Sequence, residues 1–498
     1  MDDGAAGGKV TADPAAGVAR PVLARASGAL GWSLLNTAVS RLGTLGIGIA
    51  LARMLGPAEF GTFAVATVAL LAVLSFNELG VSLAIVRWPV EPAAIAPTVS
   101  TISLVTSAGI TVAGVAAAPA FAAAMGAPDA TPVVQVMMIS VLINGLVATP
   151  AALLQRYFQQ SRRMVIDQVN VWLGAIISIA LAALGMGAMS LAIGRVAGSM
   201  ASAVLFLAYS PMRYRLGFDR SLVPGLLRFG MPLAGASVVV FALGYADQVV
   251  AGHALGAVEL GYYVLAFNLA SWPVSIFSQP LRSVAPAAFA AMQDDPPQMR
   301  ATLSSVMGVL AAVTIPCCLV IAGAASPLVT LVYGTAWEPS AGPLLWLGVF
   351  AAFRILFELI YDYLVVLGRS GVLLRVQIVG LVCVVPLMLV GAHLAGIAGV
   401  AAAQVVVAAL LTLPIYCAEL RRVGLRVWVL LRRVGPPAVG AVLVGGVAHL
   451  ISDARIVGPL TTSLLAGAAA VVAVGALLVR DRRVLADLNA ARGSWKSR

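Results

Sequence analysis

The sequence predicts an all-α polytopic membrane protein, and three observations support this prediction. Hydrophobic residues make up 61% of the 498 residues, charged residues make up only 10%, and the mean hydropathy is +1.00. Runs of about 20 apolar residues recur along the chain, which is the length that a helix needs to cross a bilayer. The runs are apolar all round instead of alternating with polar residues, which indicates helices and excludes barrel strands.

About fourteen transmembrane spans are predicted from these runs. They cover residues 29–52, 61–84, 96–118, 132–154, 167–186, 188–209, 229–252, 262–285, 302–324, 341–366, 372–392, 396–418, 436–451 and 457–479. Of the 31 Lys and Arg residues, Arg41, Arg195 and Arg354 lie inside spans, and Arg53 and Arg455 lie in odd-numbered loops. All the others are assigned to the tails and the even-numbered loops, although Arg282 and Arg375 fall a few residues inside the ends of spans 262–285 and 372–392. This asymmetry predicts that both termini face the cytoplasm and explains the net charge of +11 without a nucleic-acid partner.

The segments outside the spans are short. Residues 1–28 form a Gly- and Ala-rich tail that is predicted to be disordered and cytoplasmic, and residues 480–498 form a basic cytoplasmic tail. No loop between the predicted spans exceeds about 20 residues, which is about the length of one span. The chain therefore has no room for a soluble catalytic domain. All four cysteines lie in apolar segments, which predicts free thiols and no disulfide.

One turn occurs twice in the chain. Leu55–Phe63 reads LGPAEFGTF and Leu255–Tyr263 reads LGAVELGYY, with Leu-Gly, Glu, Gly and an aromatic residue in the same register. Six predicted spans separate the copies, so both face the same side of the membrane, and their odd-numbered loops place them on the outer side. The pattern predicts two six-helix lobes, residues 29–212 and 225–420, related by a parallel repeat. Two additional helices follow over residues 436–479.

The residues of the turn suit a tight connection between two helices. Gly56 and Gly256 can adopt the left-handed conformation that ends a helix, and Pro57 suits the first turn of the next helix. Glu59 and Glu259 then lie near a helix N-terminus, where the helix dipole favours a carboxylate. A hairpin kept only for structural reasons explains these residues equally well.

The residues around both turns resemble the polysaccharide-biosynthesis flippase family of the multidrug/oligosaccharidyl-lipid/polysaccharide exporter superfamily. They are residues 51–61 (LARMLGPAEFG), 78–80 (ELG) with Arg87, Asp247, 252–256 (GHALG) and 260–263 (LGYY). The resemblance implies two lobes around a central cavity, alternating access and a polyprenyl-diphosphate-linked oligosaccharide as cargo. Glu78 stands where the family usually has Asp before Leu-Gly, which keeps the charge and makes Glu78 a candidate for coupling or gating.

Charged residues inside spans are candidates for function, because a charge at mid-bilayer costs roughly 2.5–3.5 kcal/mol on insertion scales. Arg41 lies on a stripe of small and polar residues with Thr37, Thr44 and Gly48. Its planar guanidinium suits a diphosphate in a cavity, and an interhelical ion pair is the alternative. Asn36, one residue outside that stripe, is a further candidate substrate ligand.

The tenth span carries a second group of charges. Arg354, Glu358, Tyr361 and Asp362 share one helix face, and Arg354 and Glu358 are i, i+4 neighbours that can neutralise each other. Either Arg354 binds substrate while Glu358 and Asp362 couple cation or proton movement to transport, or the group is structural.

Two further charges lie about a third of the way into the membrane from the outer side. Arg195 has Ser199 and Ser202 on the same helix face, and Asp247 is followed by Gln248. Each is expected either to bind substrate or to close an outer gate.

The motifs of several enzyme classes are absent from the sequence. There is no GxxxxGK[ST] phosphate loop, no HExxH and no GxSxG, and the three histidines are scattered. The sequence therefore predicts no enzymatic activity, no cofactor and no metal site.

The predicted function is a flippase for lipid-linked oligosaccharide repeat units of exopolysaccharide, capsule or lipopolysaccharide, in a bacterial cytoplasmic membrane. The alternatives are a cation-coupled multidrug exporter of the same superfamily, or a polymerase or scaffold of the polysaccharide pathway. The expected partners are membrane lipids and the lipid-linked oligosaccharide, together with a polysaccharide polymerase or glycosyltransferases. A monomer is expected to suffice.

Overall fold

The computed structural model describes residue 43, residues 46–453 and residues 458–480. The chain divides into two compact units, Met1–Ala50 and Leu51–Arg498. In the first unit the described residues are Gly43 and residues 46–50, and all of them are helical. No β-strand occurs among the described residues, so the predicted all-α class is confirmed.

The described residues form sixteen α-helices. They are α1 (Gly46–Leu74), α2 (Ser82–Arg87), α3 (Pro92–Ala124), α4 (Thr131–Arg156), α5 (Gln160–Ala183), α6 (Ala188–Ala208), α7 (Val223–Leu255), α8 (Ala257–Pro273), α9 (Gln279–Ala290), α10 (Pro296–Gly323), α11 (Ala325–Tyr333), α12 (Ala341–Val366), α13 (Ser370–Val407), α14 (Leu413–Arg422), α15 (Val427–Asp453) and α16 (Pro459–Arg480). Short 3-10 turns connect some of them at Asn77–Gly80, Pro128–Ala130 and Thr335–Ser340. Single π-helical turns occur at Val274–Ser278 and Ala408–Thr412.

Eleven helical segments among the described residues are long and apolar enough to cross a membrane. In two of these segments the helical backbone angles are interrupted. Gly46–Leu74 contains Gly56 at φ +75°, and Ser370–Arg422 contains Ala395 and Gly396 with non-helical angles. The second break lies where two predicted spans, 372–392 and 396–418, meet. The prediction of a multi-pass membrane protein is confirmed, and the number fourteen stays a prediction.

The two halves of the chain share backbone features at equivalent places. The helix that follows the α5–α6 turn is preceded by Gly187 at φ 55°, ψ −141°, and the break in α13 has Gly396 at φ 58°, ψ −142°. The ends of α4 and α12 match in the same way, with a left-handed residue at Phe158 (φ 56°) and at Gly368 (φ 71°). These matches are what a parallel repeat of the two halves predicts.

Close helix pairs in both halves meet at glycines. A Cβ built on Gly174 of α5 would lie 2.9 Å from the carbonyl oxygen of Gly194 in α6. A Cβ on Gly391 would lie 2.4 Å from the carbonyl oxygen of Gly399 across the break in α13. Small residues allow such close approach, and in a membrane the resulting van der Waals packing drives helices together.

Candidate functional site

The repeated turn ends one helix and begins the next in both halves. Gly56 and Gly256 have φ values of +75° and +89°, which L-residues with a side chain rarely adopt. Gly256 also donates its N–H to the carbonyl oxygen of Gly252 at 2.9 Å and so ends α7. The structure therefore agrees with the predicted role of the Leu-Gly pair at the end of a helix.

The two turns cross each other symmetrically. A Cβ on Gly61 would lie 2.1 Å from the carbonyl oxygen of Ala257, and a Cβ on Gly261 would lie 2.8 Å from the carbonyl oxygen of Pro57. The seventh residue of each turn thus packs against the third residue of the other. This reciprocal contact explains the shared register of the two copies, because each glycine accommodates the backbone of the opposite turn.

Aromatic side chains surround the crossing. Trp337, which is 1% exposed, makes edge-to-face contacts with Phe60 at 5.4 Å and with Tyr262 at 5.9 Å between ring centroids. Edge-to-face pairs of this kind contribute about 0.5–1.5 kcal/mol beyond burial. Trp337 therefore joins one residue from each turn into a single aromatic cluster.

Two charged side chains stabilise helix ends near the crossing. Arg53 donates from Nε and Nη2 to the carbonyl oxygens of residues 332 and 331 at 2.8 and 2.7 Å, at the C-terminus of α11. Glu59 accepts a 2.6 Å hydrogen bond from the N–H of Ala188 at the start of α6. A cation at a helix C-terminus and an anion at an N-terminus are both the favourable arrangement. Glu59 therefore caps the N-terminus of α6, and it also lies in the first turn after the interruption of α1 at Gly56.

A ladder of charged residues lies between α12 and the segment that follows α8. Arg354 donates from Nε to Glu358 Oε1 at 3.1 Å, and Ser278 donates to the other carboxylate oxygen of Glu358. One helical turn further along both elements, Arg282 donates from Nε to Asp362 Oδ2 at 3.3 Å. Asp362, which lacks a partner on its own helix, therefore has one on α9.

The ladder buries its acids and exposes its bases. The side chains of Asp362 and Glu358 are 8% and 18% exposed, whereas those of Arg282 and Arg354 are 44% and 41% exposed. A guanidinium has five N–H donors in a planar fork, so each arginine keeps donors for a further anion after pairing with its carboxylate. We call Ser278, Arg282, Arg354, Glu358 and Asp362 the charge ladder.

Asp247 belongs to a separate, buried polar cluster. It is 4% exposed and accepts hydrogen bonds from Tyr263 Oη at 2.8 Å, from Gln404 Nε2 at 3.1 Å and from the N–H of Gln248 at 2.9 Å. Gln404 also donates to Tyr263 Oη at 2.7 Å. The cluster joins α7, α8 and α13 and gives this buried carboxylate three donors.

Arg195 projects from a face of α6 whose neighbouring positions are covered. Leu191, Ala192 and Gly198, which lie one turn away on the same face, are buried, whereas Arg195 itself is exposed. It has no hydrogen bond or ion pair with any described residue. Its long side chain therefore extends away from the covered part of this face.

Three predicted site residues lie wholly or partly outside the described part of the chain. Arg41 and Asn36 lie outside the described residues. Glu78 belongs to the 3-10 turn Asn77–Gly80, and its side chain is also outside the described part. The neighbouring Asn77 is 8% exposed and joins a polar group, because it donates to Asn144 Oδ1 at 3.2 Å and accepts from Ser107 Oγ at 2.8 Å.

The sequence analysis missed Arg282 and Trp337. The charge count groups Arg282 with a cytoplasmic loop, although this residue falls inside the predicted span 262–285. Its position inside a span is the signal that could have marked it as a candidate site residue. No signal in the sequence indicates that Trp337, in a short loop helix, would pack against both turns. The structure brings Arg354, Glu358 and Asp362 together in the charge ladder and places Asp247 and Arg195 elsewhere.

A family model described as "Polysaccharide biosynthesis protein" matches residues 50–342. The chain is 25% identical over 275 residues to the lipopolysaccharide biosynthesis protein WzxC of Escherichia coli (strain K12), covering 55% of this chain and 56% of that protein. It is 27% identical over 318 residues to the succinoglycan biosynthesis transport protein ExoT of Rhizobium meliloti (strain 1021), covering 62% of each. These matches span less than two thirds of either relative.

Solved structures share the fold at low sequence identity. The lipid II flippase MurJ in an inward closed conformation superposes with a TM-score of 0.73 at 13% identity, covering 90% of this chain and 98% of MurJ. An inward-facing multidrug resistance MATE family transporter of the MOP superfamily gives a TM-score of 0.61 at 16% identity, covering 78% of this chain and 98% of the transporter. Since the family model matches more than half of the residues, the chain belongs to the polysaccharide biosynthesis protein family.

Proposed function

We propose that this multi-pass membrane protein is a flippase that moves a polyprenyl-diphosphate-linked oligosaccharide across the cytoplasmic membrane. Its relatives are named for lipopolysaccharide biosynthesis and for succinoglycan transport, and its fold is shared with a lipid II flippase. Both termini face the cytoplasm in this proposal, and the cargo supplies repeat units for an exopolysaccharide, capsule or lipopolysaccharide. A polymerase and glycosyltransferases of the same pathway are the proposed protein partners.

The charge ladder is the observation that carries the proposal for this chain. Arg282 and Arg354 are half-exposed inside an otherwise apolar helix packing, and a buried carboxylate orients each of them. A diphosphate offers acceptor oxygens that match the planar forks of two guanidiniums, and charge-assisted hydrogen bonds of this kind are roughly twice as strong as neutral ones. Arg195 and Arg41 stay proposed as further diphosphate ligands, each on the grounds of its own predicted span.

Transport by alternating access then requires the two halves to separate at one end and meet at the other. The crossed turns supply the contact at the predicted outer end, because Gly61 and Gly261 pack against backbone of the opposite half. In the mechanism that we propose, the cargo enters from the cytoplasmic side, the diphosphate binds the arginines, and the turns part to release it outward. The lipid tail stays in the bilayer at a lateral opening between the halves.

Coupling residues are proposed from the same ladder. Glu358 and Asp362 are each paired with an arginine that can exchange its carboxylate for a phosphate. When the diphosphate takes over an arginine, the released carboxylate becomes a site for a proton or cation. Glu78 is a further candidate on the first half.

The first experiment depletes the protein in its host and measures lipid-linked oligosaccharide by leaflet and by mass. We expect complete repeat units to accumulate in the inner leaflet. Normal outward delivery of every such lipid, in a host without a second flippase, would contradict the proposal.

A reconstituted assay tests the arginines. Proteoliposomes with the double variants R282Q/D362N and R354Q/E358Q remove each ion pair as a unit, so that no lone buried charge destabilises the fold. We expect transfer of a fluorescent polyprenyl-diphosphate oligosaccharide to fall at least about tenfold, since each lost charge-assisted contact costs about 1.5–3 kcal/mol. Arg375→Gln is the matched control, because Arg375 is exposed and bonds only the Gly371 carbonyl oxygen of its own helix. Equal transfer by all variants would refute the role of the ladder.

A cation-coupled multidrug exporter is the second candidate. The buried Asp247, with three donors and no cationic partner among the described residues, is the feature that favours it. An exporter of cations would lose activity with Asp247→Asn and keep it with R354Q/E358Q, and a flippase for a diphosphate would show the larger loss with R354Q/E358Q.

A further inference from the structure

The segment that connects the two halves of the chain covers a cavity in the first half. Residues 209–222 run from the end of α6 to the start of α7 across the first turns of α3 and the last turns of α4. Gly217 donates its N–H to Thr101 Oγ1 at 3.1 Å, and Thr101 donates to the Gly217 carbonyl oxygen at 2.8 Å. Asp219 donates its N–H to Thr98 Oγ1 at 3.1 Å. The connecting segment is therefore held against α3, and the cavity lies beside these contacts.

The cavity has a volume of about 340 Å³ and two kinds of wall. Alanine, proline and leucine side chains of α3 and α4 form an apolar wall. The polar lining residues are Ser100, Thr149, Ser210, Arg213, Tyr214 and Arg215. An amphiphilic ligand, with an apolar part and a group that accepts many hydrogen bonds, matches both walls.

Two hydroxyl groups of the polar wall are buried without a hydrogen-bond partner among the described residues. They belong to Thr149 and Ser210, and Thr149 is only 3% exposed. The phenol of Tyr214, in the same wall, lies within hydrogen-bonding reach of Ser100. Buried polar groups are usually hydrogen-bonded, so a cluster of unpaired hydroxyls beside one cavity indicates a ligand that can pair with them. Small rotations about their side-chain bonds would direct these hydroxyls to such a ligand.

Two arginines define the charge of that ligand. Arg213 and Arg215 are two residues apart in the irregular connecting segment, and both line the cavity. Both are exposed, and neither forms a hydrogen bond or ion pair with a described residue. Two neighbouring guanidiniums without a carboxylate favour an anion, and phosphate oxygens suit their planar geometry best.

The position of the cavity suggests where the phosphate comes from. The walls of the cavity lie within a few turns of the start of α3 and of the end of α4. The charge pattern predicts that these helix ends face the cytoplasmic side of the membrane. This is the depth of the lipid headgroups, and an apolar wall next to a cationic one matches a phospholipid. We propose that the cavity binds the phosphate group of an anionic phospholipid from the cytoplasmic leaflet and so fastens the connecting segment to the first half.

The experiment compares lipid retention by full-length variants. The wild type, R213Q/R215Q and Arg220→Gln are purified from nanodiscs containing equal phosphatidylglycerol and phosphatidylcholine, and the bound lipid is measured by native mass spectrometry. Arg220 is the matched control, since it is exposed on the same segment but does not line the cavity. We expect phosphatidylglycerol retention to fall at least about tenfold in R213Q/R215Q and to be unchanged in Arg220→Gln.

A second variant and a second ligand keep the result interpretable. Thr149→Val leaves both arginines and the volume of the side chain in place, and it should lower retention by removing a hydroxyl at the polar wall. Inorganic phosphate is titrated into each protein in a zwitterionic nanodisc. Phosphate binding that depends on Arg213 and Arg215, without selective lipid retention, would assign the site to a soluble phosphate ester and overturn the lipid. Equal retention by all variants, with no phosphate binding, would overturn the site itself.

Discussion

The crossing of the two repeated turns predicts a specific effect for Gly61→Ala. The new Cβ would lie 2.1 Å from the carbonyl oxygen of Ala257, where ordinary contacts begin at 3.4 Å. Because the obstructing atom belongs to the backbone, it cannot rotate away, and α1 and α8 must move apart. Overpacking of this kind costs about 1–3 kcal/mol. Since 1.4 kcal/mol changes an equilibrium constant about tenfold, the crossed conformation should lose from about fivefold to about a hundredfold in population relative to conformations with separated turns.

Distances between spin labels measure that population. Ala58 and Val258 are the fourth residues of the two turns, and both are exposed, so A58C and V258C can carry labels in a chain whose native cysteines are replaced. Pulsed electron paramagnetic resonance should show a longer distance distribution for Gly61→Ala than for the parent. Gly244→Ala in α7 is the control, because a Cβ there meets no atom within 4 Å. An unchanged distribution in Gly61→Ala would refute the reasoning.

Three further predictions concern stability, read from thermal unfolding in detergent. Phe158→Gly should stabilise the protein by about 0.5–1 kcal/mol, because Phe158 is 90% exposed and has a left-handed backbone conformation that favours glycine. A lower midpoint temperature of unfolding would contradict this prediction and show that the ring makes a stabilising contact. Asp247→Asn should destabilise it by about 1–3 kcal/mol, since the amide replaces one of the two carboxylate oxygens with an NH2 group that cannot accept a hydrogen bond. No change would contradict the hydrogen-bond assignment. Glu59→Ala should cost about 0.5–2 kcal/mol through the lost cap at Ala188, and Glu59→Gln should recover most of it.

The local features of the chain could be predicted from the sequence. Span ends at 186–188 and 392–396 coincide with the α5–α6 turn and with the break in α13, because glycine and short-range periodicity act within a few residues. Gly56 and Gly256 were predicted to end helices, and their positive φ values agree with that prediction. The family resemblance rested on the same turns, and the match of a family model over residues 50–342 confirms it.

The candidate site could be predicted only in part. Arg354, Glu358 and Asp362 share a helix face, which the 3.6-residue period reveals. Their partners Ser278 and Arg282 lie 80 residues away, in the π-helical turn Val274–Ser278 and in α9. No local pattern in the sequence specifies which helix packs against α12 or in which register, so the pairing of Arg282 with Asp362 could not be predicted.

Composition and periodicity by themselves determined the class of this protein and the helical character of its apolar segments, and the recurring turn predicted a repeat. These properties follow from the bilayer, which admits only helices with satisfied backbones, and from local residue preferences. Only the tertiary structure decided that Gly61 meets Ala257, that Trp337 joins both turns and that Asp247 lies with Tyr263 and Gln404. Each of these contacts joins residues far apart in sequence, and its geometry depends on the relative placement of whole helices, which small side chains permit but do not encode individually.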